Sequence, residues 1–245
     1  QTAGYILFPY VYKDSDAHAQ LGIFGAASKI AMIMSMITQA FRYAYEPFVF
    51  GKSRDKDNKE TYARAMKFFL IFTILAFLVV MGYMDVLRHI IGRDYWVGLR
   101  VVPIVMAGGI MTGVYFNLSF WYKLIDKTIW GAYFSGIGCA VIIGINVIFV
   151  PHYGYMACAW AGFLGNATAM VLSYVVGQRK YPIDYPLKSI LVYVLIGGFF
   201  FAIITYCNAN LSVPEALGVN TLVIIAFIAH VIYHDMPQVI RKFKK

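Results

Sequence analysis

Seven stretches of the chain are almost continuously apolar: about 20–49, 63–84, 97–122, 128–150, 153–177, 187–207 and 213–234. Each reaches the roughly 20 residues that an α-helix needs to cross a bilayer. They are too long and too uniformly apolar for barrel strands, and in lipid only helices or closed barrels satisfy every backbone polar group. The expected fold is all-α, a polytopic bundle of about seven transmembrane helices. Residues 5–12 (YILFPYVY) read as the tail of an earlier apolar helix. The chain is therefore expected to be the C-terminal part of a longer polytopic protein. Its expected organisation is a helix tail and outside loop over 1–19, five helices of a bundle over 20–177, and two further helices with a basic tail over 178–245.

The first long stretch breaks the apolar pattern in an ordered way. Ser28, Ser35, Gln39, Arg42 and Glu46 are spaced 7, 4, 3 and 4 residues apart. At 100° per residue they share one stripe roughly 60° wide. Nine Leu, Ile, Phe and Val residues between 21 and 49 favour insertion by about −3 to −5 kcal/mol, against about +5 to +7 for Lys29 and Arg42 at the bilayer centre. Such a helix needs neighbours or water around its charges. A polar cavity inside the bundle is the expected destination of the stripe, which makes the chain a transport candidate. Arg42 and Glu46 can pair across one helical turn. Lys29 lies about 120° from the stripe centre and faces either another helix or the surface.

Composition agrees with a membrane protein. Hydrophobic residues make up 60% of the chain and charged residues 13%, about half the charge of a soluble domain, and the mean hydropathy is +0.66. The net charge of +9 would suggest nucleic acid as a partner for a soluble protein, but here it sits in loops. Lys52, Arg54, Lys56, Lys59, Arg64 and Lys67 follow the first span; Lys123 and Lys127 follow the third. Arg179, Lys180 and Lys188 follow the fifth, and Arg241, Lys242, Lys244 and Lys245 end the chain. The alternate loops hold only Lys13, Arg88, Arg93 and Arg100. By the positive-inside rule the rich segments, including the C-terminus, are cytoplasmic. No nucleic-acid partner is expected.

The remaining polar and small residues suggest local roles. Val86, Leu87, Ile90 and Ile91 give segment 85–96 one apolar face, suited to lying along the membrane surface. Trp96, Trp121 and Trp130 fall near span ends, where indoles favour the headgroup region. Ala132, Gly136, Ala140 and Gly144, and then Ala157, Ala161, Gly165 and Ala169, repeat every four residues and should let the fourth and fifth spans approach closely. Pro103, Gly108, Gly109 and Gly113 weaken the third span near its middle, as a hinge or a static kink. Thr112, Tyr115, Ser119 and Tyr122 share one broad face, Lys123 and Asp126 read as a solvated span end, and Asn146 and Asn166 as interhelical hydrogen-bonders. His230 and His234 read as interfacial, with a proton relay as the alternative. Cys139, Cys158 and Cys207 lie in spans without metal-ligand spacing and read as packing residues. There is no G-x-S-x-G, H-E-x-x-H or P-loop, and only Glu46 places a carboxylate well inside a span. The chain is not expected to be an enzyme or to carry a cofactor or metal.

Several stretches resemble a known family: QLGIFGAASKIAMIMSMITQAFRYAYEPFVF, YARAMKFF, YWVGLRVVPIVMAGGIMTGVYFNLSFWYKLIDKT and PHYGYMACAWA. They are similar to the C-terminal part of bacterial polysaccharide-biosynthesis flippases of the O-antigen type, in the multidrug/oligosaccharidyl-lipid/polysaccharide exporter superfamily. The resemblance implies about fourteen helices in the whole protein, alternating access, and passage of an undecaprenyl-diphosphate-linked oligosaccharide across the bacterial inner membrane. It implies membrane lipids as partners and H⁺ or Na⁺ as a coupling ion. Arg42 would contact phosphate. Glu46, Gln39, Ser35, Lys29, Tyr43, Tyr115 and Ser119 would complete the substrate site, unless Glu46 instead carries a coupling proton. The runner-up is a cation-coupled multidrug antiporter of the same superfamily. A membrane-embedded polysaccharide polymerase or acyltransferase, and a non-transporting scaffold, follow.

Overall fold

The computed structural model describes residues 2–12, 16–51 and 58–235. The basic residues at 52, 54 and 56 and those of the C-terminal tail lie outside the described residues, as does Lys13. Among the described residues the chain is helical and has no strand. Seven helical segments are long and apolar enough to cross a membrane: Ala17–Val49, Asn58–Gly82, Arg93–Leu124, Ile129–Tyr153, Tyr155–Lys180, Leu187–Asn210 and Val213–Asp235. Each falls within a few residues of the expected stretch, apart from the third, which starts earlier through a 3₁₀ turn, and the second, which starts before the apolar run. The protein is a multi-pass membrane helix bundle.

The helices are α1 (Thr2–Val11), α2 (Ala17–Gly51), α3 (Asn58–Gly82), α4 (Met84–Leu87), α5 (Val102–Leu118), α6 (Phe120–Leu124), α7 (Ile129–Tyr153), α8 (Tyr155–Lys180), α9 (Leu187–Asn210) and α10 (Val213–Asp235). Helix α5 occupies the centre and packs on α2, α3 and α8. Helix α7 flanks α8 and touches α1, while α9 and α10 pack on α3. Glycines explain how α5 accommodates so many neighbours. A Cβ on Gly108 would lie 3.3 Å from the Cα of Phe163 on α8, and one on Gly109 would lie 2.9 Å from Met34 Cγ on α2. Gly113 is closed in by Phe69 of α3 and Thr38 of α2. All three lie within the uninterrupted helix Val102–Leu118 and are points of close contact with neighbouring helices. The interruption comes later, at Ser119 between α5 and α6. Helices α7 and α8 form a hairpin through Gly154, whose φ of 55° suits glycine.

The outer faces carry large apolar side chains, among them Leu195 (63% exposed), Phe199 (64%) and Leu222 (66%). Facing water they would be an aggregation hazard; facing acyl chains they are ordinary.

Four local expectations are corrected. Segment 85–96 does not form one amphipathic helix: α4 ends at Leu87 and 3₁₀ turns follow at Arg88–Ile90 and Arg93–Val101. Ile91 is buried, but Val86 and Ile90 stay exposed, so the presumed apolar face is split. Trp121 is not a headgroup anchor. It is fully buried, with its Nε1–H donating to Ser173 Oγ at 3.4 Å and its ring against Gly177. Only one of the two small-residue stripes is an interface. Ala157, Ala161, Gly165 and Ala169 are all buried, whereas a Cβ on Gly136 or Gly144 would meet nothing within 4 Å. Helix α7 instead turns Phe134, Gly138, Asn146 and Val150 inward. Finally, Asn146 donates to Ile142 O of its own helix at 2.7 Å rather than across an interface, while Asn166 does bridge helices, donating to Gly108 O at 3.3 Å.

Candidate functional site

The polar stripe of α2 opens into a recess of about 450 Å³. Ser35, Thr38, Gln39 and Arg42 form one wall, Gly109, Thr112 and Phe116 of α5 the second, and Asn166 of α8 the third. The 3- and 4-residue spacing keeps the α2 side chains on one face, and Gly109 leaves the opposite wall shallow. A second recess of about 230 Å³ shares Thr112, Phe116 and Asn166 and reaches Ser135 and Cys139 of α7. A third, of about 320 Å³, shares Arg42 and Phe116 and continues past Tyr115, Ser119 and Tyr122 to Lys123 and Thr128. Shared walls make these one trough. It runs from the middle of the membrane span to the end of the bundle that carries Lys123, Lys127, Arg179, Lys180 and Lys188.

Arg42 stands where two of the recesses meet, with its side chain 39% exposed. Its Nε–H donates to Glu46 Oε2 at a long 3.5 Å. Its guanidinium carbon lies 4.8 Å from the Phe116 ring centroid, a cation–π contact that leaves the polar edge free. Glu46 has a closer partner: Lys123 Nζ donates to its Oε1 at 2.5 Å. Further along, the Tyr115 hydroxyl donates to Gly131 O at 3.2 Å and lies 3.1 Å from Ser135 Oγ. The Tyr122 hydroxyl donates to that of Tyr115 at 3.4 Å. The trough thus pairs a cationic corner with a run of hydroxyls that can both donate and accept.

Of the residues singled out from the sequence, Ser35, Gln39, Arg42, Tyr115 and Ser119 line the trough, and Glu46 is bound to two of its cations. Tyr43 is exposed beside Arg42, and Lys29 is exposed and lines none of these recesses. Ser28, on the same stripe, has a buried hydroxyl and does not reach the trough. The sequence reading missed Thr38, which continues the stripe three residues after Ser35. It also read Lys123 as a solvated end. No periodicity announces a contact between residues 77 apart. A separate groove of about 280 Å³, among Met66, Leu70, Met111 and Val194, lies on another face of α5. Its apolar lining suits an acyl chain rather than a headgroup. Among the described residues no three His, Cys, Asp or Glu side chains gather as a metal site.

Cys139 is exposed, against the expectation of a packing residue, while Cys158 and Cys207 are buried. A membrane-impermeant thiol reagent applied to the reconstituted protein should therefore modify Cys139 and leave the other two intact, as read by peptide mass spectrometry. Modification of Cys139 only after denaturation would mean the trough is closed to water.

No family model, no curated protein and no solved structure matches the chain. What the fold and trough define is the class: a multi-pass membrane helix bundle with a polar, cation-cornered hollow between α2, α5, α7 and α8.

Proposed function

We propose that the chain moves an anionic, lipid-linked oligosaccharide across the bacterial inner membrane, as a flippase working by alternating access in surface polysaccharide assembly. The observation that carries this reading is the position of Arg42: inside a span, at the junction of two recesses, with most of its guanidinium donors unused. A diphosphate is hydrophilic and anionic, and a planar guanidinium can hold it through paired hydrogen bonds. The hydroxyls of Tyr115, Ser135 and Tyr122 suit sugar, while the prenyl tail would stay in lipid. The end of the trough rich in Lys and Arg would face the cytoplasm, where such substrates are made.

The antiporter reading is weaker. A cationic drug needs a free carboxylate, and Glu46 is already engaged by both Lys123 and Arg42. Transfer of lipid-linked oligosaccharide in cells or proteoliposomes tests the proposal. Arg42→Ala should reduce transfer at least ~30-fold at normal protein level, as expected for loss of a charge-assisted bidentate contact. Undiminished transfer sinks the proposal.

A further inference from the structure

Glu46 poses a problem for the anion site. A carboxylate one helical turn from Arg42 is the natural competitor for its guanidinium: an i,i+4 Arg–Glu pair can close into the same bidentate geometry that a phosphate would use. If it did, the site would be neutral and its donors occupied. The structure shows a different division. Lys123 Nζ takes Glu46 Oε1 at 2.5 Å, whereas Arg42 reaches Oε2 only through Nε, at 3.5 Å. That single contact is the one hydrogen bond of the guanidinium among the described residues, so its terminal NH₂ groups remain available. Phe116, at 4.8 Å, supports the flat face of the guanidinium.

The position of Lys123 is suited to this task. It sits on α6, beyond the break at Ser119, and reaches Glu46 across the bundle. Its ammonium also lies 5.3 Å from the Phe120 ring centroid, which restricts where it can swing. The three charges sum to +1. That charge is concentrated on Arg42, because the short Lys123–Glu46 contact neutralises the other two.

We infer that Lys123 is a positioning residue which draws the Glu46 carboxylate away from Arg42 and so sets the affinity of Arg42 for an anionic ligand. The inference rests on the reading of Arg42 as an anion site. It assigns no ligand contact to Lys123. Removing the lysine should let Glu46 close on Arg42. Removing both should free Arg42 again, even though a positive charge has been lost. A lysine that touched the anion directly would behave otherwise, because the double variant would stay weak.

Binding of farnesyl diphosphate to the purified protein, followed by calorimetry, provides the test independently of transport. Arg42→Ala should weaken binding at least ~30-fold and Lys123→Met about 10-fold, the low end for charge pairs because these side chains are only partly buried. Glu46→Gln should tighten binding, and the Lys123→Met/Glu46→Gln pair should return to within about 3-fold of wild type, a non-additive outcome expected of groups in direct contact. Lys123→Arg, which keeps the cation, should bind nearly as wild type. A double variant as weak as Lys123→Met alone overturns the inference and leaves the Arg42 site standing. So does unchanged binding in Lys123→Met while Arg42→Ala abolishes it. No binding to the wild type, or binding indifferent to Arg42→Ala, overturns both.

Discussion

Gly138→Leu and Gly165→Leu are each expected to cost the fold about 3 kcal/mol or more, whereas Gly136→Leu and Gly144→Leu on the same α7–α8 hairpin cost about nothing. At Gly138 a Cβ would stand 2.9 Å from the carbonyl oxygen of Gly165 and 3.3 Å from Ala169 Cβ. At Gly165 it would stand 2.8 Å from the Gly138 carbonyl oxygen. Each glycine is thus pressed against the other's backbone, which cannot rotate aside as a long side chain can. A leucine there must push the two helices apart and forfeit the dispersion contacts along the crossing. In lipid those contacts are the main force that holds helices together. At Gly136 and Gly144 there is open space, and leucine is a better helix former than glycine. Thermal unfolding of the detergent-solubilised protein checks this. Equal destabilisation at all four positions would mean that α7 meets α8 by a different face.

That contrast also shows where sequence reasoning reached its limit. Gly136, Gly138 and Gly144 are the same residue type in the same span, and the i,i+4 rule selected the regular set at 132, 136, 140 and 144 over Gly138, although on α8 it did select Gly165. In a soluble helix the buried face is marked by hydrophobic contrast. Here lipid is as apolar as a neighbouring helix, so α7 presents no contrast and its packing face is invisible in the sequence. The seven spans were legible because the requirement for them, about 20 apolar residues, does not depend on what lies beside them. The stripe of α2 was legible for the complementary reason. Polar side chains are unwelcome in lipid, so Ser35, Gln39 and Arg42 on one face had to meet a hollow, and they do. Trp121 was misread because nearness to a span end says nothing about which way a ring points around the helix. Lys123 was misread because its partner, Glu46, is 77 residues away and on a different helix.

Asp235→Ala is expected to cost about 2–3 kcal/mol, as for removing a charged acceptor shared by two donors in a partly buried place. Asp235 closes the last described turn of α10 and accepts from Lys67 Nζ of α3 and from the Tyr193 hydroxyl of α9, so that one carboxylate ties three helices. The side chains of Lys67 and Asp235 are only 19% and 11% exposed. Without Asp235, the Lys67 ammonium and the Tyr193 hydroxyl both lose their carboxylate acceptor in a partly buried place. Lys67→Met should cost less, because the carboxylate keeps Tyr193 as a donor. The Lys67→Met/Asp235→Leu pair should recover most of the loss, since an apolar replacement of both partners leaves no charge unpaired. The neighbouring pair Arg64–Glu60 supplies the comparison. Its 2.7 Å contact is shorter than many, yet its side chains are 68% and 72% exposed. Water screens such a pair, and Glu60→Ala should change the unfolding midpoint by no more than about 0.5 kcal/mol allows. Additive single effects at Lys67 and Asp235, with no recovery in the double variant, would mean that the two side chains are not coupled and that α10 is held to α3 by its other contacts, among them the hydrogen bond from Asn220 Nδ2 to Gly82 O at 2.9 Å.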